Sequence, residues 1–352
     1  MPTPVRLAEL TTLRLGGPAP DLVTVHTPAE TIDAMTAGDG AGGVLVLGGG
    51  SNLVVADSGI DVPVVRVAIP GIVTTPADDP AGTVLVTAGA GIDWDDLVAQ
   101  LVDDGFAELA PLSGIPGSTG ATPVQNVGAY GTEISDVLDR ITVLDRSTRE
   151  VRTVTAGDLA LGYRTSVLRG TDRAVVLDVT FRLTRGSTVI RYAELARVLG
   201  VEVGATVPPA AARAAVLELR RGKGMVLDPA DPDTYSAGSF FTNPLLDASA
   251  AGRTDQAIRR RLGSDAQYPA YPAGELIKLS AAWLIERAGF RRGHPGPGGR
   301  VAVSGKHTLA LTNRGNGTTD DLLALAREIR DGVTAAFDVV LEPEPVLVGV
   351  SL

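Results

Sequence analysis

The sequence predicts an α+β fold, and two patterns carry the prediction. Short apolar runs of strand length, broken by turns rich in glycine and proline, recur along the 352 residues with only a few segments of helical periodicity between them. The glycine-rich turn at 48–52 joins one such run to another, whereas the glycine turn of a doubly wound sheet or a P-loop opens a helix. The length suits two or three domains, and the character of the chain changes at Val201.

Composition bounds the partners. Hydrophobic residues make up 44% and charged residues 20% of the chain, as expected of a globular protein. With 31 basic against 41 acidic side chains the net charge is −10, which argues against nucleic acid or an anionic membrane as the main partner. Any anion site must therefore be locally basic. Cysteine is absent, which excludes disulfides, thiolate metal sites and cysteine nucleophiles and suits a reducing cytoplasm. The opening MPTPVRLAELTTLRLGG lacks the apolar core of a signal peptide. No window approaches the roughly 18 to 20 apolar residues of a membrane span. His26, His294 and His307 are isolated and no H-E-x-x-H pattern occurs, so no metal site is expected. No G-x-S-x-G elbow supports a serine triad.

The elements follow in order. Asp21 to His26 reads as an alternating strand, and Thr27, Pro28 and Glu30 form a helix start: a hydroxyl N-cap, proline at the first helical position and glutamate at the third. That helix should end near Gly38. Val44 to Leu47 is a buried-strand run, followed by Gly48, Gly49, Gly50, Ser51 and Asn52 and by a further run, Leu53 to Val55. Such a turn either cradles a pyrophosphate or is an ordinary hairpin turn. Val64 to Val67 and Thr83 to Thr87 are further strands. Asp93 caps a helix whose Trp94, Leu97, Val98 and Leu101 follow the i, i+3, i+4, i+7 spacing, with Trp94 in the core and Gly105 at the end.

Leu112 to Glu133, LSGIPGSTGATPVQNVGAYGTE, holds five glycines, more than a helix or strand would use. A surface linker is the plain alternative. Yet Ile115, Val124, Val127, Ala129 and Tyr130 are interleaved with the glycines, which suggests a packed segment whose free backbone N–H groups bind phosphate or a polar ring edge. Ile141 to Asp145 and Val151 to Thr155 form a hairpin, and Ala174 to Leu183 is a strand. Between them, Tyr163 and Arg164 of LGYRTSVLR read by themselves as a surface arginine packed on a tyrosine.

Pro208 and Pro209 start a helix with Ala212, Val216 and Leu219 on one face. Arg220, Arg221 and Lys223 at its end are either dipole capping or a local basic site. In AGSFFTNP, Phe240 and Phe241 point to opposite sides if the segment is extended. Ser239 then stands beside two apolar anchors, as a proton donor would, or else satisfies a local turn. Lys278 to Gly289 and Thr319 to Phe337 are amphipathic helices, with a loop at 293–299. The run FDVVLEPEPVLVG carries Glu342 and Glu344 in an otherwise buried, strand-like stretch. They are the acid-base candidates, and alternation does not choose between them.

Taken together, TTLRLGG, VLGGGSNLV, SGIPGSTGATPVQNVGAYGTE, YRTSVLR, GSFFTNP and LEPEPVLVG stand in the order found in the UDP-N-acetylenolpyruvoylglucosamine reductase (MurB) family. The chain resembles the longer, type I class of that family over nearly its whole length. The resemblance implies an FAD-binding region at 1–200, of two subdomains (1–75 and 76–200) similar to the vanillyl-alcohol oxidase fold. It also implies a smaller α+β substrate domain at 201–352, whose last segment returns Glu344 to the active site. FAD, bound non-covalently between the subdomains, would be held by Gly48, Gly49, Gly50, Ser51, Asn52, Ser113, Gly114, Ile115, Gly117, Ser118, Gly120, Gly128 and Arg164.

The activity implied is a UDP-N-acetylmuramate dehydrogenase of peptidoglycan synthesis. NADPH gives a hydride to the flavin and leaves, and the enolpyruvyl sugar nucleotide takes its place, receiving hydride at C3 and a proton at C2. Arg164 matches the family's catalytic arginine, Ser239 its proton donor, and Glu344 its catalytic glutamate, which selects between the two carboxylates. Tyr192, Lys223 and Asn243 match substrate-binding positions. A cytoplasmic monomer is expected, with no nucleic-acid or membrane partner. The chain departs from the family at Thr242, where lysine is common, and at Pro345 and Val346, where arginine often follows the glutamate; both changes make the surroundings less basic. The rival reading is an FAD-dependent oxidase or dehydrogenase of the same fold acting on another alcohol or sugar. Such enzymes often attach flavin through histidine, and no histidine lies in the FAD loops. A catalytically silent nucleotide-binding regulator would have lost Arg164, Ser239 or Glu344, and all three are present.

Overall fold

The computed structural model describes residues 5–38, 43–78 and 82–352. The chain forms two compact units, one built on Ala19–Gly50 and Asp61–Val226, the other on Arg6–Pro18, Ser51–Ile60 and Leu227–Leu352.

In the first unit, a three-stranded parallel sheet has Val64–Val67 at its centre, with Leu22–Val25 on one side and Leu45–Leu47 on the other. Helix α1, Pro28–Ala37, starts as the sequence predicts: Thr27 Oγ1 accepts from Glu30 N at 3.1 Å, and Glu30 reaches back to His26 N at 2.7 Å. A five-stranded antiparallel sheet follows in the order Val151–Thr155, Leu138–Asp145, Ala174–Leu183, Val84–Gly89, Ile72–Pro76. Its edge strand Ile72–Pro76 has little apolar alternation to announce it. Helix α2, Trp94–Asp103, is capped by the Asp93 carboxylate and buries Trp94, Leu97, Val98 and Leu101. Trp94 packs on Phe181 with ring centroids 5.8 Å apart and donates its indole N–H to Leu112 O at 2.9 Å, so the expected core residue also holds the start of the glycine-rich loop. Two further helices, α3 (Ala193–Leu199) and α4 (Pro209–Gly222), close this unit. The domain boundary expected at residue 200 falls inside it, because Ala212 and Val216 of α4 are fully buried in the core shared with Trp94 and Phe181.

The second unit pairs Val346–Val348 with Leu53–Val55 in parallel. It adds a sheet in the order Leu245–Leu246, Leu276–Leu279, Ala270–Ala273, and a hairpin of Val301–Val303 with Leu311–Asn313. Its helices are α5 (Ala248–Leu262), α6 (Ala281–Ala288) and α7 (Thr319–Phe337). Phe240, Phe241, Leu284, Ile285, Leu322, Ile329 and Phe337 lie in its core.

Several expectations change here. The turn at 48–52 is no hairpin turn, since Leu45–Leu47 pairs with Val64–Val67 while Leu53–Val55 pairs with Val346–Val348. Helix α6 begins at Ala281 rather than Lys278. The Ser280 hydroxyl accepts from Trp283 N at 3.3 Å and sets the N-cap, while Lys278 belongs to a strand. Helix α5 has no counterpart in the sequence reading. Of the strand-like run at 337–349, only Val346–Val348 is a strand.

Candidate functional site

The glycine-rich loop of the first unit is packed, as its apolar residues suggest. Trp94 N donates to Gly117 O at 2.9 Å, Thr119 N to Ile92 O at 2.8 Å, and Gly120 N to Ala90 O at 2.9 Å. Gly114 N donates to the Asp95 carboxylate at 2.6 Å. Burial pulls the Asp95 carboxyl upward, but the Arg213 side chain and the Gly114 N–H outweigh it and hold the carboxyl below its usual pKa. The glycines of the 48–52 turn lie against this loop. A Cβ built on Gly49 would stand 2.6 Å from Gly117 Cα, so the two backbones approach more closely than any side chain permits.

Asn126, fully buried, organises the loop's second half. Its amide donates to Glu133 at 2.9 Å and to Gly162 O at 3.0 Å, and its oxygen accepts from Ser135 N at 2.9 Å. Arg164 meets the same stretch: Nη2 donates to Gly128 O at 2.7 Å and Nη1 to Asn126 O at 3.5 Å, while Ser166 Oγ donates to Val124 O at 2.6 Å. The plain reading of Arg164 captures its stacking near Tyr163, 5.4 Å from the ring centroid. It misses the half-burial and the left-handed backbone, with φ at 52°. Asn126 and Tyr130 share that conformation, at 49° and 50°. Left-handed backbone costs a non-glycine residue on the order of 1 kcal/mol, so the surrounding structure holds these positions in place.

Tyr192 and Lys223 lie in the same unit and converge on Tyr130. The two tyrosine rings meet edge to face at 5.7 Å, and Lys223 Nζ is 5.9 Å from the Tyr130 centroid. Lys223 also pairs with Glu194 at 2.6 Å. Burial raises the Tyr130 hydroxyl to a pKa of about 12, which keeps it neutral at physiological pH. Arg220 was read as a helix-end cation, but it is buried. Its Nη2 donates to Met225 O at 2.9 Å, and its Nε has no partner among the described residues. Burial lowers its pKa to about 10, so it remains a cation.

In the second unit, Ser239 to Thr242 is flanked on both edges. Phe240 N donates to Leu309 O at 2.7 Å on one side. On the other, Glu344 N donates to Phe240 O at 2.9 Å and Thr242 N to Glu342 O at 3.0 Å. Both phenylalanines are buried in one cluster, rings 5.1 Å apart, so the opposite-sides expectation separates no two environments. The serine that satisfies the local turn is Ser236, whose Oγ accepts from Gly238 N at 3.2 Å. Ser239 instead lies in the main-chain bridge to Ala310. Glu342 is exposed, whereas Glu344 is half-buried and tied to the 48–52 turn: Asn52 Nδ2 donates to Glu344 O at 3.4 Å and Val346 N to Asn52 O at 2.9 Å. Thr12 Oγ1 lies 3.4 Å from Ser51 O. Asn243 Oδ1 accepts from Ala281 N at 3.0 Å, so it also anchors the start of α6. Thus the Ser239–Thr242 segment is joined to Glu344 by main-chain pairing and Glu344 to Asn52, while Arg164, Tyr192 and Lys223 gather on the loop of the first unit.

These residues fit an FAD. The backbones of Gly49 and Gly117 pack directly on each other, with no room for a Cβ between them, which brings the two glycine-rich segments of the first unit together. The buried guanidinium of Arg220 lies beside the start of the loop, its Nε 3.4 Å from where a Gly114 Cβ would stand, and gives local positive charge within an acidic chain. Among the described residues no cluster of histidine, aspartate or glutamate has the arrangement of a metal site. Sequence reasoning singled out neither Asn126 nor Glu194, and it named Arg220 only within the basic cluster at the end of α4. Of the first two, only Asn126 carried a signal, as a polar residue inside the glycine-rich loop.

Comparison with known proteins gives a consistent picture. Residues 20–155 match the FAD binding domain family, and residues 229–348 match the family described as UDP-N-acetylenolpyruvoylglucosamine reductase, C-terminal domain. The chain is 59% identical over 98% of its length to UDP-N-acetylenolpyruvoylglucosamine reductase of Saccharopolyspora erythraea, covering 95% of that protein. It is 54% identical over 99% of its length to the protein of the same name from Thermobifida fusca, covering 98% of it. Among solved structures it is similar to UDP-N-acetylenolpyruvylglucosamine reductase (MurB) from Thermus caldophilus, with a TM-score of 0.66, 25% identity and 98% of each chain covered.

Proposed function

Because the chain belongs to the UDP-N-acetylenolpyruvoylglucosamine reductase family, we propose that it is an FAD-dependent oxidoreductase that uses NADPH to reduce the enolpyruvyl group of UDP-N-acetylglucosamine enolpyruvate. The product is UDP-N-acetylmuramate, for peptidoglycan synthesis. The observation that carries the residue assignment is the backbone pairing of Ser239–Thr242 with Glu342–Glu344, which ties the proposed proton donor and the proposed glutamate to one rigid segment.

Gly48 to Asn52, Ser113 to Gly120 and Gly128 would hold the FAD. Bound there, FAD supplies the hydride carrier between NADPH and the sugar nucleotide. Hydride addition at the substrate's C3 leaves negative charge at C2, delocalised into the neighbouring carboxylate. The Arg164 guanidinium, fixed by Gly128 O, stabilises that charge more than the ground state. The Ser239 hydroxyl gives its proton to C2, completing the saturated lactyl ether. Glu344 is fixed through its own main chain and serves as the site's carboxylate for acid-base work. Tyr192, Lys223 and Asn243 hold the nucleotide sugar, with Lys223 on its diphosphate. Of the residues proposed, Gly48 to Gly50, Ser113 to Gly120, Gly128, Arg164, Tyr192 and Lys223 belong to the first unit, and Ser51, Asn52, Ser239, Asn243 and Glu344 to the second. The enzyme acts as a cytoplasmic monomer; a sedimenting species heavier than the 36.2 kDa chain would count against that.

The test is anaerobic. NADPH should bleach the flavin of the purified enzyme, and the enolpyruvyl sugar nucleotide should restore the colour; bleaching without restoration overturns the proposal. Ser239→Ala should leave bleaching intact and slow the restoration by about 10²- to 10⁴-fold, because the proton is needed only in the second half-reaction. Equal slowing of both halves removes Ser239 from its role.

A further inference from the structure

Lys223 is the C-cap of α4, and Glu194 lies in the first turn of α3, helices that pack on each other. The two side chains are joined at 2.6 Å, about a third exposed on each side (33% and 31%), next to the edge-to-face pair of Tyr130 and Tyr192. An acidic residue in a first helical turn is ordinarily a dipole effect, and an isolated exposed ion pair adds little stability. This one occupies a cation that another anion is meant to use. On the reading that Lys223 holds the nucleotide diphosphate, an incoming phosphate must either displace the Glu194 carboxylate or bind beside it. Both routes weaken binding, by breaking a pair or by adding a like charge.

We infer that Glu194 is a built-in competitor for Lys223, a carboxylate that takes the place of the ligand's phosphate when the site is empty. The inference rests on the proposed function, and the chemistry of that function gives it a purpose. Two different nucleotides must occupy one place in turn within each catalytic cycle, so neither should be held for long. A carboxylate that recaptures Lys223 as a phosphate leaves favours the exchange of NADP⁺ for the sugar nucleotide. Glu194 is therefore a positioning residue that acts through Lys223 and tunes affinity for anionic nucleotides.

The experiment uses the flavin-loaded enzyme and UDP as probe, with binding followed by the flavin absorbance change and by calorimetry. Glu194→Gln should bind UDP roughly three- to fivefold more tightly than the parent, the range expected from releasing a partly exposed ion pair. That gain should shrink as salt is raised and should vanish in a Lys223→Met background. A merely structural Glu194, needed to hold Lys223 in place, predicts the opposite sign. If Glu194→Gln binds UDP equally or more weakly while Lys223→Met weakens binding, the competitor role is overturned and the nucleotide-site reading stands. If Lys223→Met leaves UDP affinity unchanged, Lys223 does not hold the diphosphate, and both fall.

Discussion

The glycine-rich loop of the first unit and the Ser239–Thr242 segment of the second are held by different means. The loop is irregular, and side chains add to its main-chain bonds in fixing it: Asn126 makes three hydrogen bonds, Asp95 accepts from Gly114 N, and Arg164 and Ser166 donate to loop carbonyls. The serine segment is extended, and main chain fixes it through bonds to Leu309 on one edge and to Glu342 and Glu344 on the other, with two buried rings beneath. A loop that forms no ladder must satisfy its polar main chain piecemeal: Thr119 N and Gly120 N find Ile92 O and Ala90 O, and polar side chains meet Gly114 N and the carbonyls of Val124 and Gly128. The Ser239–Thr242 segment, extended and flanked by neighbours, has no such need.

The contrast can be broken experimentally. Phe240→Ala should cost about 3–5 kcal/mol of stability, since a fully buried ring is lost from a closed core. Denaturant unfolding followed by tryptophan fluorescence should show the loss around Trp283, in the second unit, and spare the environment of Trp94, in the first. A uniform loss at both would mean that the two regions are not separately supported. Asn126→Ala should cost about 2–3 kcal/mol, because it strands buried groups and puts alanine in a left-handed conformation. It should also loosen Arg164, so the cost should appear in the second half-reaction as well as in the melting temperature. Gly49→Ala drives a methyl into the Gly117 backbone and should cost about 1–2 kcal/mol, with a matching loss of flavin in the purified protein; full flavin retention would mean the two glycine segments do not shape the flavin site.

The smallest effect is in acid. Hydrogen bonding to Arg300, at 2.8 Å, holds the Asp321 carboxyl at a pKa of about 2 in the second unit. Its folded pKa lies below the unfolded value, so its contribution is present above about pH 4 and is lost as pH falls towards 2. Asp95, also lowered, should act in the same sense in the first unit. Asp321→Asn should lower stability at pH 7 and flatten the acid limb of the second unit alone, and Asp95→Asn that of the first. If either variant flattened both limbs, the two units would not titrate independently.

What could be read in the sequence follows from the same physics. Helices α1, α2 and α7 carry both a cap and an apolar stripe, and their starts are visible in Thr27, Asp93 and the long periodic run from Thr319. Helix α5 was invisible because it buries only Thr254, Ala257 and Ile258 and otherwise shows small and basic residues. Alternation failed at Phe240 and Phe241 because a segment covered on both sides has no solvent face to reveal. Glycine density pointed to the loop at 112–133, and the backbone approach at Gly49 gives that density a physical reason. Glu194 could not be found this way, and Arg220 showed only as one of three cations at the end of α4. Their significance lies in what stands opposite them, and nothing local in the sequence marks a buried guanidinium or a carboxylate facing Lys223.

The parallel pairing of Leu53–Val55 with Val346–Val348 sets the order in which the protein can be made. Asn52 and Glu344, which meet in that pairing, are 292 positions apart in the chain. During synthesis the strand at 53–55 leaves the ribosome with its partner still untranslated, whereas the first unit is complete once Val226 has been made and can fold meanwhile. The segment around Ser239 likewise waits for Glu342 and Glu344 on one of its edges. The packed glycine segments of the first unit should therefore form early and the surroundings of Ser239 last, and nascent chains arrested before residue 339 should expose Phe240 and Phe241 to chaperones while already holding a folded first unit.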